Sequence, residues 1–287
     1  MLSVRRQAFS SPGELALTVG LWSAAVLLVM VSLLLLGPIV IHGLPHFTLG
    51  FLTGLPQNAG LEGGIYPILL GTVAILAVTL VTSVPLSLCV AVFLSEFARP
   101  DQGLTRTVLA SLDVMAAVPS IVYGLFGNVL FCQILGFGYS ILSGGLTLAC
   151  MVLPLLIRAS TDALLNLPRH LREGGLALGL SKVSVIWFIL LPTAAPSLIA
   201  AFVLATARAL SETAALLFTA GYVDRVPASP LDSARTISVH IYELSMNVPG
   251  GEPRAYGAAF VLIVVLLLFS GVTRVLTQRW MTAARVY

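Results

Sequence analysis

Arg172-Glu173-Gly174-Gly175-Leu176-Ala177-Leu178-Gly179, with Ile189-Leu190-Leu191-Pro192 following, is the stretch on which the reading of this chain turns. Written as a pattern it is E-G-G-x3-G-x9-I-x-L-P. It lies between two long apolar segments, on a loop that carries much of the chain's positive charge. Physically it predicts a short helix, a sharp turn permitted by glycine at 179, and a second helix climbing back into an apolar medium. Any inter-helix loop needs a glycine and a few charges, but the joint spacing argues against chance.

Composition says what medium that is. The 287 residues are 58% hydrophobic and 9% charged, where a soluble chain carries about 25% charged residues. Such a chain cannot cover itself with polar surface, so an integral membrane protein is expected. Cys89, Cys132 and Cys150 all fall in apolar segments, where small core residues are expected rather than a disulfide or metal site. The net charge of +3 is modest, and no nucleic-acid partner is expected.

A membrane-spanning helix needs about 20 apolar residues. No charge occurs from Leu15 to Ile41 or from Ile65 to Ser95, and 44 uncharged residues separate Asp113 from Arg158. That last run holds two helices if a turn divides them, and Gly136-Phe137-Gly138-Tyr139-Ser140 is such a turn. A fifth helix is expected from Val183 to about Thr219, and a sixth from Ala255 to Thr273. The fold class is therefore an all-α polytopic membrane protein with six transmembrane helices. The expected divisions are a tail at 1–14, a first helix at 15–41, and a core at 62–280 holding the loop at 158–192.

Positive charge orients the bundle. Arg5, Arg6, Arg99, Arg106, Arg158, Arg169, Arg172, Lys182, Arg274, Arg279 and Arg285 fall on one side, and Arg225, Arg235 and Arg254 on the other, a count of 11 against 3. Both termini and the Glu173 loop are thus expected in the cytoplasm. Arg5-Arg6 resembles a twin-arginine export signal. However, the apolar run behind it is longer than a signal core of about 7–15 residues and lacks a small-x-small cleavage site.

Catalytic motifs are missing. There is no G-x4-G-K-[ST] loop, because the only lysine, Lys182, follows Ser181. His42, His46, His170 and His240 show no metal-ligand spacing, and no G-x-S-x-G elbow occurs. No cofactor or metal is expected. ATP-driven work by this chain requires a nucleotide site on another polypeptide.

Several stretches carry a resemblance to a known family. They are Gly63-Gly64-Ile65-Tyr66-Pro67, Gly71-Thr72, Val84-Pro85-Leu86 through Leu94-Ser95-Glu96-Phe97, and Val118-Pro119-Ser120-Ile121-Val122-Tyr123-Gly124-Leu125-Phe126-Gly127. Leu153-Pro154-Leu155-Leu156-Ile157-Arg158, Ala163-Leu164 before Pro168, the Glu173 loop and Ala207-Arg208-Ala209-Leu210-Ser211-Glu212-Thr213-Ala214 complete the set. Over about residues 62–275 the chain resembles the phosphate-specific ABC importer permeases of the PstA/PstC family, most closely PstA. The loop alone is similar to the EAA loop of importer permeases, with Gly174 and Gly175 in place of two alanines. Ser211 stands where that family usually has Gly, and Ala215 where it often has Pro.

The resemblance implies a type I, MetI-like permease fold in the bacterial inner membrane, moving inorganic phosphate by alternating access. It implies ATP-binding cassette ATPase subunits docked on Glu173, Gly174, Gly175, Gly179 and Pro192. It also implies a second related permease subunit, a periplasmic phosphate-binding protein and surrounding membrane lipid. Alternatives are a permease for another oxyanion or a phosphonate, an ATPase-independent carrier, or a polytopic enzyme.

Other residues are readable without the family. Pro85 and Pro119 lie inside apolar runs, where they kink helices and either line a substrate route or serve packing. Thr72 and Ser120 place small polar groups beside such breaks, as pathway residues or as partners of backbone carbonyls. Ala201, Ala205 and Ala209 form a small-residue face for close helix packing. Arg208 and Glu212, four residues apart, are expected on one helix face. They form either a structural pair or a pathway site in which Arg208 supplies positive potential to an oxyanion and Glu212 orients it. Between Tyr222 and Tyr256, the spacing of Ile237, Ile241 and Leu244 after Asp232-Ser233 predicts a short amphipathic helix on the outer surface. It either meets the binding protein or rests on the bilayer interface.

Overall fold

The computed structural model describes residues 12–98 and 103–284, with side chains described for 13–98 and 103–275. Arg5, Arg6, Arg99, Arg285 and the tail up to residue 11 lie outside the described residues, and Arg279 outside the described side chains. The described residues are mostly helical. The helices are α1 (Pro12–Gly43), α2 (Leu49–Thr53), α3 (Tyr66–Val92), α4 (Gly103–Ala117), α5 (Ser120–Gly127) and α6 (Ile141–Leu165). Then come α7 (Arg169–Ala177), α8 (Lys182–Val185), α9 (Leu191–Leu210), α10 (Ala214–Leu217), α11 (Ile237–Met246) and α12 (Glu252–Ala284). Two short strands, β1 (Pro56–Gln57) and β2 (Glu62–Gly63), pair antiparallel before α3. Wider π turns at Phe93–Phe97, Asn128–Ile134 and Ile186–Leu190 extend α3 and α5 and join α8 to α9.

Five of these helical segments are long and apolar enough to cross a membrane: Gly13–His46, Tyr66–Phe97, Ile141–Leu165, Lys182–Leu210 and Glu252–Val275. The helix expected just after Asp113 is not a single straight one: Gly103–Ala117 and Ser120–Ile134 pass for a span only together and meet at 100°, the geometry of a broken span or of a re-entrant loop. The elbow follows from Pro119, which disfavours helical backbone at Val118 and itself takes an extended conformation (φ −60°, ψ 143°) ahead of α5. Pro85 behaves otherwise, because α3 runs unbroken through it. Its face toward α6 is packed, and the bond lost at Pro85 is the one to the Val81 carbonyl, a single interruption that the rest of the helix spans.

α6 is the centre. Two-thirds (67%) of its apolar window is buried, against 22% for the spans of α3, α8–α9 and α12, and 0% for α1. α3 lays one face against α6, with Ile68, Thr72, Ile75, Thr79, Ser83, Ser87 and Ala91 buried at helical spacing. Thr79 Oγ1 donates to both Ile75 O (2.9 Å) and Gly145 O (3.1 Å), tying the two helices. Ala201, Ala205 and Ala209 of α9 are buried, the small-residue face that lets α9 approach. Cys132 and Cys150 are partly buried, but Cys89 is exposed on α3, so the expectation of a core residue fails there. α1 meets the bundle at its last turn, where His42 lies against Tyr256 with ring centroids 5.2 Å apart.

One expectation is corrected and another refined at the end of the bundle opposite α7. The helix expected to reach Thr219 stops at Leu210, and residues 211–213 separate it from α10. α11 is the expected short helix but is set deeper than one resting on a surface: Ile237, Ser238, Val239, His240 and Leu244 are buried against α3, α10 and α12, while Tyr242 and Met246 stay exposed. Its cap is Thr236, whose hydroxyl accepts from Val239 N, while the Asp232 carboxylate closes the preceding turn by accepting from Ala228 N and Ser229 N.

Candidate functional site

The Glu173 loop folds as its glycines dictate. α7 ends in a pair of bonds, Gly179 N to Leu176 O (2.9 Å) and Leu180 N to Gly175 O (3.2 Å), with Gly179 at φ +80°. That is the left-handed helix stop in which glycine avoids the Cβ penalty. Ser181 then caps α8, accepting from Ser184 N at 3.1 Å. Gly175 faces Val185 and Ile189, and a Cβ there would stand 2.8 and 3.0 Å from their side chains, whereas one at Gly174 would meet nothing. Pro192 is exposed near the start of α9. It cannot donate to the Phe188 carbonyl, and the π turn Ile186–Leu190 falls where that helical bond is missing.

Beneath the loop, Ala91, Leu164, Val185, Ile186, Leu190 and Ala194 form a buried cluster joining α3, α6 and α8–α9. Outside it, Glu173 is exposed beside Leu176 (52%), Leu178 (83%) and Leu180 (40%). The loop thus turns an apolar ridge flanked by charge away from the bundle, as a protein-docking surface does.

The loop is fastened by residues that sequence reasoning did not single out as a site. Arg172 donates to Glu96 Oε1 through Nη2 (2.7 Å) and Nε (2.9 Å). It also donates to Leu164 O (2.7 Å) and Leu167 O (3.1 Å), carbonyls at the end of α6. Lys182 Nζ donates to the Glu96 carbonyl, and its charge lies 4.3 Å from the Phe97 ring centroid. The only local signal was Glu96 itself, a lone carboxylate closing an otherwise uncharged run.

The second group lies around the α4–α5 elbow and the end of α9. Tyr123 Oη donates to Met115 O at 2.9 Å, bridging the elbow. Tyr123 packs in one cluster with Ala205 and Ala209, and Arg208 is near enough to act on it electrostatically. Ser120, partly exposed, is the first residue of α5. Arg208 is exposed in the last turn of α9, and among the described residues no carboxylate lies in ion-pair range of it.

Glu212 does not share Arg208's helix face, because α9 has ended. Ser211 Oγ bonds back to Ala207 O and Arg208 O, a local competitor of helix continuation. Glu212 instead accepts from Ala215 N (3.5 Å) at the start of α10, and its carbonyl accepts from Ser238 Oγ (2.6 Å) of α11. Thr72 is buried with its hydroxyl engaged inside the bundle, donating to Ile68 O (2.7 Å) and accepting from Ile237 N (3.0 Å). Ser120 therefore belongs to the elbow, Arg208 is linked to that elbow through Tyr123, and Thr72 belongs to the α3–α11 contact.

The family described as binding-protein-dependent transport system inner membrane component matches residues 83–282. The chain is 32% identical over 277 residues to the probable ABC transporter permease protein YqgI of Bacillus subtilis (strain 168), covering 91% of this chain and 92% of that one. It is 31% identical to the phosphate transport system permease protein PstA 2 of Mycobacterium bovis, over 92% of this chain and 88% of the other. PstA 1 of Mycobacterium tuberculosis (strain ATCC 25618 / H37Rv) is 35% identical over 74% of this chain and 68% of its own length. Among solved structures, an inward-facing MetNI methionine ABC transporter chain superposes with a TM-score of 0.57 at 18% identity, covering 76% of this chain and 94% of that one.

Proposed function

The chain belongs to the family of binding-protein-dependent transport system inner membrane components, and on that premise we propose that its cargo is inorganic phosphate. It is a membrane-spanning ABC transporter permease, not itself an enzyme, with ATP hydrolysis assigned to separate subunits and a partner permease implied by the family. Membership sets aside the carrier and enzyme alternatives. The PstA names among the relatives support phosphate, and YqgI, named without a substrate, leaves another oxyanion or a phosphonate as the second reading.

The observation that carries the cargo reading is Arg208, exposed and without a carboxylate partner among the described residues, beside the elbow. A cation in the last turn of a helix gains about 0.3–1 kcal/mol from the helix dipole. Arg208 stands two residues from the end of its span, where that gain is small, and a passing anion would supply a further reason for a positive charge there. Ser120 and the positive end of the α5 dipole at the elbow have the right sign for an anion. Glu212, in this reading, holds the break between α9 and α10 against α11 and leaves the charge of Arg208 uncancelled.

The remaining assignments follow from the same premise. The protein sits in the inner membrane with surrounding lipid, and both termini are cytoplasmic. Glu173, Gly174, Gly175, Gly179 and Pro192 form the ATPase-coupling loop, and a periplasmic phosphate-binding protein meets the opposite end. The division into a tail, a first helix and a core at 62–280 is supported by α1, which buries none of its apolar window.

Phosphate uptake normalised to assembled complex tests the role of Arg208. Arg208→Gln is expected to abolish uptake while assembly survives. Arg208→Lys should fall between, since lysine keeps charge but lacks the planar fork that suits phosphate oxygens. The double change with Glu212→Gln should stay inactive; uptake near the wild-type level in it would end the role proposed for Arg208. Uptake of another oxyanion in preference to phosphate by the wild type would favour the second reading.

A further inference from the structure

Glu96 sits where no part of the transport reading yet requires a carboxylate. The π turn Phe93–Phe97 closes α3 with Ala98 N bonded to Phe93 O at 2.9 Å, and there the Glu96 side chain is 7% exposed. A buried charge is costly unless paired, and a leucine would fill the site without that cost. Its carboxylate is paired by Arg172 of the α7 arm of the loop, while Lys182 of the α8 arm donates to the Glu96 main-chain carbonyl. The two arms on either side of Gly179 thus converge on one residue of a third helix. At the far end of the same helix, Thr72 Oγ1 accepts from the first amide of α11. One continuous helix is therefore fastened to the loop at one end and to α11 at the other.

We propose that Glu96 is a positioning residue of coupling: its carboxylate clamps the α7 arm of the loop to α3 at the point where Lys182 ties the α8 arm to the backbone, so that a displacement of α7 moves α3 and, through Thr72, α11. The inference rests on the reading of the loop as the ATPase-coupling surface. A residue that merely stabilised the fold would lower the amount of assembled complex when changed. A residue that transmits motion leaves the complex assembled and uncouples it.

The test uses the complete transporter, with ATPase subunits, partner permease and binding protein, reconstituted in proteoliposomes. Glu96→Gln removes the charge and keeps the shape. The expected result is ATPase co-purification at the wild-type level, uptake per assembled complex lower by about tenfold or more, and ATP hydrolysis that no longer responds to the loaded binding protein. Glu96→Asp, which keeps a carboxylate on a shorter stem, should recover part of the response. Thr72→Val, which deletes the acceptor at the other end, should show the same docked but uncoupled behaviour. Wild-type uptake and wild-type ATPase response in Glu96→Gln would overturn the clamp. So would loss of assembled complex in both Glu96 variants, which would make the residue a folding element only. A Thr72→Val transporter with normal coupling would overturn the link through α3 to α11. Absence of co-purifying ATPase from the wild type would overturn the docking reading, and the clamp with it.

Discussion

Gly174 and Gly175 are adjacent on α7, yet a methyl group would meet open space at the first and Val185 at the second. Gly174→Ala is therefore expected to be tolerated, with up to about 1 kcal/mol of added helix stability. Gly175→Ala should push α7 off α8, costing about 1–3 kcal/mol as overpacking does, and Val185→Ala should relieve it. Gly179→Val forces a β-branched residue to φ +80°, at a cost of roughly 1–2 kcal/mol or more, and should weaken ATPase association. Melting temperature and ATPase co-purification of the purified complex check all three; a Gly175→Ala complex as robust as Gly174→Ala would refute the contact. The role of Gly179 was legible in sequence, because the left-handed turn is a local property of the backbone. That of Gly175 was not, because Val185 reaches it only across the folded loop.

α11 shows the same division for an element. Its helical spacing was readable from Ile237, Ile241 and Leu244, but its depth was not. His240 reveals that depth. Burial, and secondarily the charge of Arg235, lowers its pKa from 6.5 to about 3, and Arg235 Nη1 donates to Nδ1 at 3.4 Å. The neutral ring therefore carries its proton on Nε2. With the folded pKa depressed, the unfolded segment binds the extra proton between pH 6.5 and about 3. The stability contribution is complete above pH 6.5 and is lost as pH falls, by up to about 1.4 kcal/mol per unit. Melting curves from pH 7.5 to 4.5 should fall more steeply for the wild type than for His240→Gln; parallel curves would contradict a buried neutral histidine. The end of α9 was misjudged for a related reason. Apolar character continues past Leu210, while Ser211, Glu212 and Ser238 bond the backbone into a break that hydropathy does not register.

For the whole molecule, the charge asymmetry acquires a geometric counterpart. Arg158, Arg172 and Lys182 gather at the α7 end of the bundle. Arg235 and Arg254 hold backbone carbonyls of Tyr222 and Leu61 at the other. Single cysteines at Arg169, Leu61 and Ala228 should therefore label from opposite sides, the first from the cytoplasm and the other two from outside. Labelling of Arg169 from outside would defeat the docking argument. The sequence by itself determined the medium, five of the apolar segments, the loop and its glycine turn, and the resemblance to a permease family. These depend on composition, on charge between segments and on backbone restrictions within a few residues. Only the tertiary structure decided that α4 and α5 meet at 100° at Pro119 while Pro85 leaves its helix unbroken. It alone separated Arg208 from Glu212 and brought Glu96 to Arg172, 76 residues apart. The physical reason is that membrane helices are specified locally by hydrophobicity, whereas polar contacts between them depend on which faces meet, and that is settled only when the bundle packs.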